Sequence, residues 1–137
     1  FTNYGSRKAR QIAENPHAAL LFPWVALARQ IEIAGPVEKI SAAESLTYFL
    51  SRPVGSRLGA WVSDQSQVIS SRNVLLTKYE ELKKKFADGE IPKPDFWGGY
   101  RVIPETIEFW QGGGDRLHDR FLYAKKNRTW SHVRLSP

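Results

Sequence analysis

The sequence predicts an α+β fold that is mainly antiparallel β-structure with helices at its periphery. The chain has 137 residues, the usual size of one domain, and no apolar run in it is long enough to cross a membrane. Helix signals with capping residues occupy the first part of the chain, and short apolar runs that end at turn residues occupy the last part. These patterns predict three or four helices and four to six strands in a single domain over residues 1–137.

The N-terminal segment predicts one helix and two strands in succession. Ser6 precedes apolar residues at helical spacing, so it is the expected N-cap of a helix that ends near Asn15–Pro16. The run AALLFPW, residues 18–24, has the composition of a buried strand. Residues 30–40 alternate in the way a strand does, and Gly35–Pro36 within them predicts a bend or bulge.

Two more helices are expected in the middle of the chain. Ser41 and Glu44 are spaced as a capping box, in which the serine hydroxyl and the glutamate carboxylate bind free backbone N–H groups. The helix that starts there ends before Pro53, because proline disfavours helical geometry at the residue before it. A further helix follows Ser71, with Gly89 at the position of a C-cap glycine.

The C-terminal part of the chain predicts strands. The stretches GGYRVIPETIEFWQ, HDRFLYAKK and TWSHVRL carry β-branched and aromatic residues in short runs. Asn127–Arg128 is the expected turn of the last hairpin. Two proline-bounded stretches, residues 52–56 and 91–97, are interpreted as connecting loops within one domain.

Composition excludes several kinds of site. The chain has no cysteine, so disulfides, thiolate catalysis and cysteine-ligated metals are excluded, and a reducing, cytoplasmic setting is expected. Its three histidines lack metal-ligand spacing, so no metal site is predicted, and no Walker loop or GxGxxG fingerprint is present. The formal charge of +6 is compatible with phosphorylated ligands. Because the basic residues are scattered, we expect neither a nucleic-acid partner nor a membrane partner.

The first group of candidate site residues lies at the expected start of the N-terminal helix. It combines a hydroxyl, a helix N-terminus and two cations, which are the groups that bind a phosphate dianion. Its members are Thr2, Ser6, Arg7 and Lys8. The alternative interpretation is a capped surface helix with solvated cations.

A second group follows the capping box. Tyr48 and Arg52 are four residues apart and share a helix face, and Ser56 follows Pro53 in the next turn. A phenol, a guanidinium group and a hydroxyl could therefore converge on a second anion. The alternative is a tyrosine packed on the core with its hydroxyl at the rim.

The third group is the densest and lies in the segment WQGGGDRLHDR, which starts at Trp110. If residues 116–121 are extended, the two-residue period of a strand places three polar side chains on one face. These are Arg116, His118 and Arg120. Burying unpaired charge costs on the order of several kcal/mol, so this face is expected to line a polar cleft, and the three consecutive glycines allow a tight turn or a close approach to a ligand. The alternative is a hairpin with ion pairs to the neighbouring aspartates.

Several stretches together resemble the pyridoxine (pyridoxamine) 5'-phosphate oxidase family. They are FTNYGSRK, RQIEIAGPVEK, YFLSRPVGSRLGAWVSDQS, FWGGYRVIPETIEFWQGGGDRLHDRF and the terminal RLSP. The resemblance implies an FMN-binding split β-barrel that forms a homodimer, with FMN in clefts at the subunit interface. It also implies oxidation of pyridoxine 5'-phosphate or pyridoxamine 5'-phosphate to pyridoxal 5'-phosphate, with O2 as electron acceptor and H2O2 as product, in vitamin B6 salvage.

The resemblance further implies roles for individual residues. The family's FMN contacts fall on Phe1, Thr2, Arg7, Lys8, Gln30, Gln65, Ser66, Trp110 and Arg120. Its substrate contacts fall on Tyr48, Arg52, Ser56, Arg116, Leu117 and His118. Among these substrate contacts, Arg116 and His118 of the third group match the residues over the substrate ring and are the expected catalytic residues.

The sequence also departs from the family pattern. The upstream strand with its RxVLLK-type motif and the N-terminal lid segment are absent, so residues 1–137 are expected to be the later part of a longer protein. Phe1 stands where tyrosine is commoner. The competing interpretation is a flavin-binding split-barrel protein without oxidase activity, and the retention of both anion groups and of the RLH segment argues against it.

Overall fold

The computed structural model describes residues 1–87 and 89–137 and confirms the α+β class. Its described residues form four α-helices and eight strands, of which two are only two residues long. The chain divides into two compact units. Residues 1–15 and 39–100 form a helical unit, and residues 16–38 and 101–137 form a sheet unit.

The helical unit contains the four helices and one short strand pair. The helices are α1 (Arg7–Glu14), α2 (Ala42–Ser51), α3 (Val54–Val62) and α4 (Arg72–Lys85). The strands β1 (Thr2–Asn3) and β4 (Trp97–Gly98) pair in antiparallel fashion, with Asn3 opposite Trp97. No helix within residues 1–87 and 89–137 is both long and apolar enough to cross a bilayer.

The predicted helix starts are confirmed. The Ser6 hydroxyl accepts the N–H of Ala9 at 3.3 Å and caps α1. At the start of α2, the Glu44 N–H donates to the Ser41 hydroxyl at 3.1 Å, and the Ser41 N–H donates to the Glu44 carboxylate at 3.1 Å. Both bonds of the predicted capping box are therefore present.

Two expectations about helix ends are wrong. Residues 52–56 are not a simple connecting loop, because α3 begins at Val54 with Pro53 in its N-cap position. Proline ends the preceding helix and also starts the next one, since its fixed φ suits a helix start and its missing N–H would have no partner there. Gly89 is not the C-cap of α4, which ends at Lys85 with Phe86 in the cap position.

The core of the helical unit lies where α2, α3 and β4 meet. Its buried cluster consists of Phe49, Leu58, Ala60, Ile91 and Trp97. Partly buried aromatic and aliphatic side chains from α3 and α4 pack against this cluster. Phe49 contacts the Trp97 ring edge-on at 5.3 Å, which fixes β4 against α2.

The sheet unit is built on five antiparallel strands in the order β2-β3-β6-β7-β8. These strands are β2 (His17–Trp24), β3 (Arg29–Lys39), β6 (Thr106–Gln111), β7 (Asp119–Lys126) and β8 (Thr129–Leu135). The short strand β5 (Tyr100–Val102) pairs with β3 outside this order. The last hairpin turns at Asn127 and Arg128, which have φ values of 49° and 68°, so the predicted turn is confirmed.

The Gly35–Pro36 interruption does not insert a bulge against β2. Gly35 lies opposite Ala18 and Pro36 opposite His17, in register with the rest of the pair. A side chain at Gly35 would collide with the carbonyl oxygen of Ile103. The glycine is therefore explained by a close backbone approach.

One face of the sheet carries a set of apolar and aromatic side chains, which we call the aromatic face. Phe22, Ile31, Phe109 and Phe121 lie directly opposite one another across four strands. The prediction that residues 18–24 form a buried strand is right about the strand and wrong about burial, since Phe22 is 43% exposed and Trp24 is 45% exposed. Phe109, on the inner strand β6, is 42% exposed as well, so the exposure belongs to this face of the sheet and not to the edge position of β2.

Candidate active site

The first predicted group forms a hydrogen-bonded cluster in the helical unit. The Thr2 hydroxyl donates to the Gln65 side-chain oxygen at 2.8 Å, and the Asn3 N–H donates to the same oxygen at 2.9 Å. The hydroxyls of Thr2 and Ser6 are 3.2 Å apart, and both residues are buried. The structure thus brings together Thr2, Ser6 and Gln65, although Gln65 is far away in sequence.

The two cations of this group lie in the first turn of α1. Arg7 and Lys8 are both exposed. The positive charges of Lys8 and Arg52 both act electrostatically on the backbone nitrogen of Phe1. Because both charges act at Phe1, the surroundings of this residue are electropositive.

Ser66 follows Gln65 in a strained backbone conformation. Its φ is 71°, in the left-handed region that residues other than glycine rarely adopt. Its side chain is exposed. Strain of this kind often occurs at functional sites, so this loop is a reasonable place for a ligand contact.

The second predicted group is assembled around an aromatic stack. The Phe1 and Tyr48 rings stack at 3.7 Å, and the Phe1 and Trp97 rings stack at 5.4 Å. The Arg52 guanidinium lies over the Trp97 ring at 5.0 Å. One of its nitrogens, Nη1, is buried and has no hydrogen-bond partner among the described residues.

Ser56 lies in the first turn of α3, a helix that the sequence analysis did not predict. Its backbone N–H donates to the Pro53 carbonyl at 2.9 Å. Its side chain is half-buried. Trp97 brings Tyr48 and Arg52 of the second group together, and Ser56 follows them in the sequence.

Two residues of this region were missed by the sequence analysis as site components. Trp97 supports both the aromatic stack and Arg52. Arg57 has a buried Nε without a partner in the described part of the chain. Trp97 is the last residue of the proline-bounded stretch 91–97, and Arg57 lies in α3, a helix that the sequence analysis did not predict, so neither residue had a local signal.

In the sheet unit, strand register brings together three predicted residues. Gln30 lies opposite Trp110, and Trp110 lies opposite Arg120. The Arg120 Nε donates to the Glu108 carboxylate at 2.7 Å. This hydrogen bond raises the pKa of Arg120, partial burial opposes the rise, and the charges of Glu108 and Glu32 add to it. Arg120 is therefore held in one orientation as a cation.

The expectation that residues 116–121 are extended is wrong at its start. Gly114–Arg116 form a 3₁₀ turn, and β7 begins only at Asp119. Asp115 and Arg116 have φ values of 54° and 63°, so the chain turns there and the strand period does not apply. Arg116 consequently does not share a strand face with Arg120, and both it and Leu117 are exposed.

His118 is held beside Trp110 by this turn. The Gly113 N–H donates to His118 Nδ1 at 3.2 Å, and the His118 and Trp110 rings are 4.8 Å apart. A side chain at Gly113 would collide with the carbonyl oxygen of Leu117. Gly113 therefore approaches the backbone of Leu117 closely, and the left-handed residues of the turn are Asp115 and Arg116. The predicted approach of these glycines to a ligand stays a prediction.

Gln111 is a further residue that the sequence analysis missed. Its side-chain oxygen accepts the Arg29 Nε–H at 2.5 Å, and its side-chain nitrogen donates to the Ala28 carbonyl at 3.3 Å. These bonds tie the β2–β3 turn to the end of β6. Gln111 also lines an open, mainly apolar groove of about 440 Å³ that includes Trp110 and Phe121.

Comparison with known sequences decides the family. A family model described as "Pyridoxamine 5'-phosphate oxidase" matches residues 1–86, and one described as "Pyridoxine 5'-phosphate oxidase C-terminal dimerisation region" matches residues 97–137. The chain belongs to the pyridoxamine 5'-phosphate oxidase family. The resemblance inferred from the sequence motifs is thereby confirmed.

Curated relatives in the pyridoxamine 5'-phosphate oxidase family match the whole of this chain. The pyridoxine/pyridoxamine 5'-phosphate oxidase of Aliarcobacter butzleri is 64% identical over 138 residues, which cover 100% of this chain and 65% of the relative. The enzyme of Rippkaea orientalis is 60% identical, with the same coverage. This chain therefore spans about 65% of the length of these relatives.

Two solved structures share the fold of this chain. PhzG from Burkholderia lata, in complex with tetrahydrophenazine-1-carboxylic acid, has a TM-score of 0.92 and 30% identity over 99% of this chain and 66% of that one. A pyridoxamine 5'-phosphate oxidase-related, FMN-binding protein from Nostoc punctiforme has a TM-score of 0.74 at 17% identity, over 99% of this chain and 70% of that one. The predicted split-barrel class is confirmed by these matches.

Proposed function

We propose that the protein is an FMN-dependent oxidase that converts pyridoxamine 5'-phosphate or pyridoxine 5'-phosphate to pyridoxal 5'-phosphate, with O2 as electron acceptor and H2O2 as product. Family membership and the 64% identity to a curated oxidase support this proposal. The single structural observation that carries it is Arg52, whose buried Nη1 has no partner among the described residues. Vitamin B6 salvage and a cytoplasmic location belong to the same proposal.

Arg52 has the surroundings of a phosphate-binding residue. A buried guanidinium N–H without an acceptor costs about 1–3 kcal/mol, and a phosphate oxygen of the substrate would satisfy it. Trp97 supports the flat side of the guanidinium, and Tyr48 stacks on Phe1 beside it. We therefore assign Tyr48, Arg52 and Ser56 to the phosphate of the substrate.

The residues present also fit FMN. In the helical unit, the FMN phosphate would bind at Arg7 and Lys8, near the buried cluster of Thr2 and Gln65. The electropositive surroundings of Phe1 favour a dianion. In the sheet unit, Trp110 offers an aromatic surface and Arg120 a fixed cation, with Gln30 opposite Trp110. Phe1 and Ser66 complete the proposed set of FMN contacts.

In the proposed reaction the protein binds and orients the substrate. When bound, FMN supplies a two-electron acceptor that O2 reoxidises. Arg52 and Tyr48 bind the phosphate and so fix one end of the substrate. Because that end is fixed, the C4' carbon at the other side of the ring is held in one orientation. Arg116 lies over the pyridine ring, Leu117 contacts it, and His118 binds the substituent at C4' by a hydrogen bond.

The proposal includes a homodimer. The match of residues 97–137 to a family dimerisation region supports it. The exposed apolar side chains of β2 and of the turn after it also favour association, because exposed patches of this kind usually mark interfaces. Examples are Leu21 at 54% and Leu27 at 58% exposure.

The test uses the full-length protein loaded with FMN. Incubation with pyridoxamine 5'-phosphate in air is expected to form pyridoxal 5'-phosphate and an equal amount of H2O2. Pyridoxamine without the phosphate is the control substrate and is expected to react much more slowly. Bound FMN without product would instead support the alternative, a flavin-binding split-barrel protein without oxidase activity. A protein that binds no FMN would contradict both.

A further inference from the structure

The turn between β6 and β7 determines which nitrogen of His118 carries the proton. We propose that the Gly113 N–H locks His118 as a neutral imidazole protonated on Nε2, so that the side chain donates a hydrogen bond to the ligand and takes no proton from it. The chemical consequence rests on the proposed function. The tautomer itself depends only on the residues of this turn.

The hydrogen bond to Gly113 is the basis of the assignment. The Gly113 nitrogen lies 3.2 Å from His118 Nδ1. A backbone N–H is always a donor, so Nδ1 must present its lone pair. A neutral imidazole has one N–H, and it is therefore on Nε2.

The turn that makes this bond is tightly determined. The Leu117 N–H donates to the Gly114 carbonyl at 2.9 Å, which closes the turn. A side chain at Gly113 would collide with the Leu117 carbonyl, so the Gly113 N–H reaches the ring only because the residue is glycine. The imidazole also contacts the Trp110 ring at 4.8 Å with an angle of 45° between the planes. The imidazole is therefore held by two contacts.

The tautomer restricts what His118 can do chemically. With Nδ1 bonded to Gly113 and Nε2 already protonated, neither nitrogen can accept a proton from a bound molecule while the turn is intact. The Nε2–H can donate to an oxygen or nitrogen lone pair on the substituent at C4'. His118 therefore orients this substituent, and the proton that leaves the substrate is not taken up by His118.

Nuclear magnetic resonance of the full-length protein with ¹⁵N-labelled histidine tests the tautomer directly. The chain has three histidines, and His118→Asn identifies the signals of His118 by their loss. We expect the Nε2–H tautomer at neutral pH, both without ligand and with pyridoxal 5'-phosphate bound. A Nδ1–H tautomer, or an imidazolium in either state, would overturn the proposal.

Two glycine variants test the role of the turn. Gly113→Ala is expected to abolish the single tautomer, because its side chain would collide with the Leu117 carbonyl. Gly114→Ala is the matched control, since a side chain there meets nothing within 4 Å, and it is expected to keep the wild-type spectrum. An unchanged His118 spectrum in Gly113→Ala would show that the Gly113 N–H does not determine the tautomer. If Gly113→Ala does not fold, the wild-type spectrum still shows whether His118 carries its proton on Nε2.

A pair of histidine variants tests the consequence for turnover. His118→Gln keeps an N–H donor near the position of Nε2, whereas His118→Asn keeps only a group near Nδ1. We expect kcat of the glutamine variant to exceed that of the asparagine variant by about tenfold, with similar KM values. Equal kcat values would contradict the donor role. Because the tautomer is read without turnover, a protein with the expected spectrum but no oxidase activity would refute the proposed function alone.

Discussion

At the scale of single residues, several unusual features of the chain lie in its candidate site, although left-handed backbone also occurs in turns elsewhere, such as Asn127–Arg128. Left-handed backbone occurs at Ser66, Asp115 and Arg116, all in or beside predicted ligand contacts. None of the described glycines has positive φ, so the left-handed residues of the turn after Gln111 are Asp115 and Arg116 and not the consecutive glycines. Arg52 adds a buried nitrogen without a partner in the described structure. Strain and unsatisfied polar groups of this kind persist where a ligand compensates for them.

Replacement of Arg52 separates substrate binding from chemistry. Arg52→Ala is expected to raise KM for pyridoxamine 5'-phosphate at least tenfold and to lower kcat much less, because contacts to the phosphate are similar in the ground and transition states. Steady-state kinetics of the full-length protein measure both constants. A fall in kcat with unchanged KM would show that Arg52 acts in the chemical step instead.

Replacement of Lys8 tests the proposed FMN phosphate site. Lys8→Ala removes a charged contact to a dianion and is expected to weaken FMN binding about tenfold or more. Titration of the apoprotein with FMN measures the dissociation constant. Lys84→Ala, which removes an exposed cation from α4, is the control of equal charge and is expected to leave the constant unchanged. If both variants bind FMN with the same affinity, Lys8 does not contact the FMN phosphate.

At the scale of secondary-structure elements, local chemistry determined where helices begin. Ser6 and the Ser41–Glu44 box cap α1 and α2 as predicted. The helix α3 was missed because Pro53 carries two signals, one for the end of a helix and one for the start of the next. The loop with Arg116 was assigned to a strand because alternation of side chains was visible, whereas the backbone turn was not.

The close approach of β3 to residue 103 gives a prediction at this scale. Gly35→Ala is expected to lower the free energy of unfolding by about 1–3 kcal/mol, because the added methyl group collides with the backbone carbonyl of Ile103. Gly59→Ala is the matched control in α3, where a side chain meets nothing within 4 Å, and it is expected to be neutral or stabilising by up to about 1 kcal/mol. Denaturant titration measures the free energy of unfolding of both variants. A neutral Gly35→Ala would mean that the strand moves away at little cost.

At the scale of the whole molecule, the chain forms two compact units, each with its own part of the candidate site. The helical unit holds Arg52 on a buried aromatic core, and the sheet unit holds Trp110, His118 and Arg120 around β6 and β7. On the aromatic face of the sheet, Phe22 and Phe109 are 43% and 42% exposed, and Ile31 and Phe121 are partly buried. A surface this apolar is typical of a protein that buries it against further polypeptide.

The proposed homodimer is tested by sedimentation of the full-length protein. At micromolar concentration the FMN-loaded protein is expected to sediment with twice the mass of one chain, because the C-terminal region matches a family dimerisation region. Removal of FMN is a useful comparison and shows whether the cofactor contributes to association. A monomer that retains its FMN would contradict the proposed dimer.

The sequence by itself determined the fold class, most helix starts, the final hairpin and the family. These features depend on caps, turns, periodicity and motifs, which act between residues close together in the chain. Only the tertiary structure decided that Gln65 bonds to Thr2, that Trp97 supports Arg52 and that His118 is held by Gly113 beside Trp110. It also decided that β2 is exposed. The physical reason is that such contacts depend on backbone direction and strand order, which side-chain pattern alone does not specify.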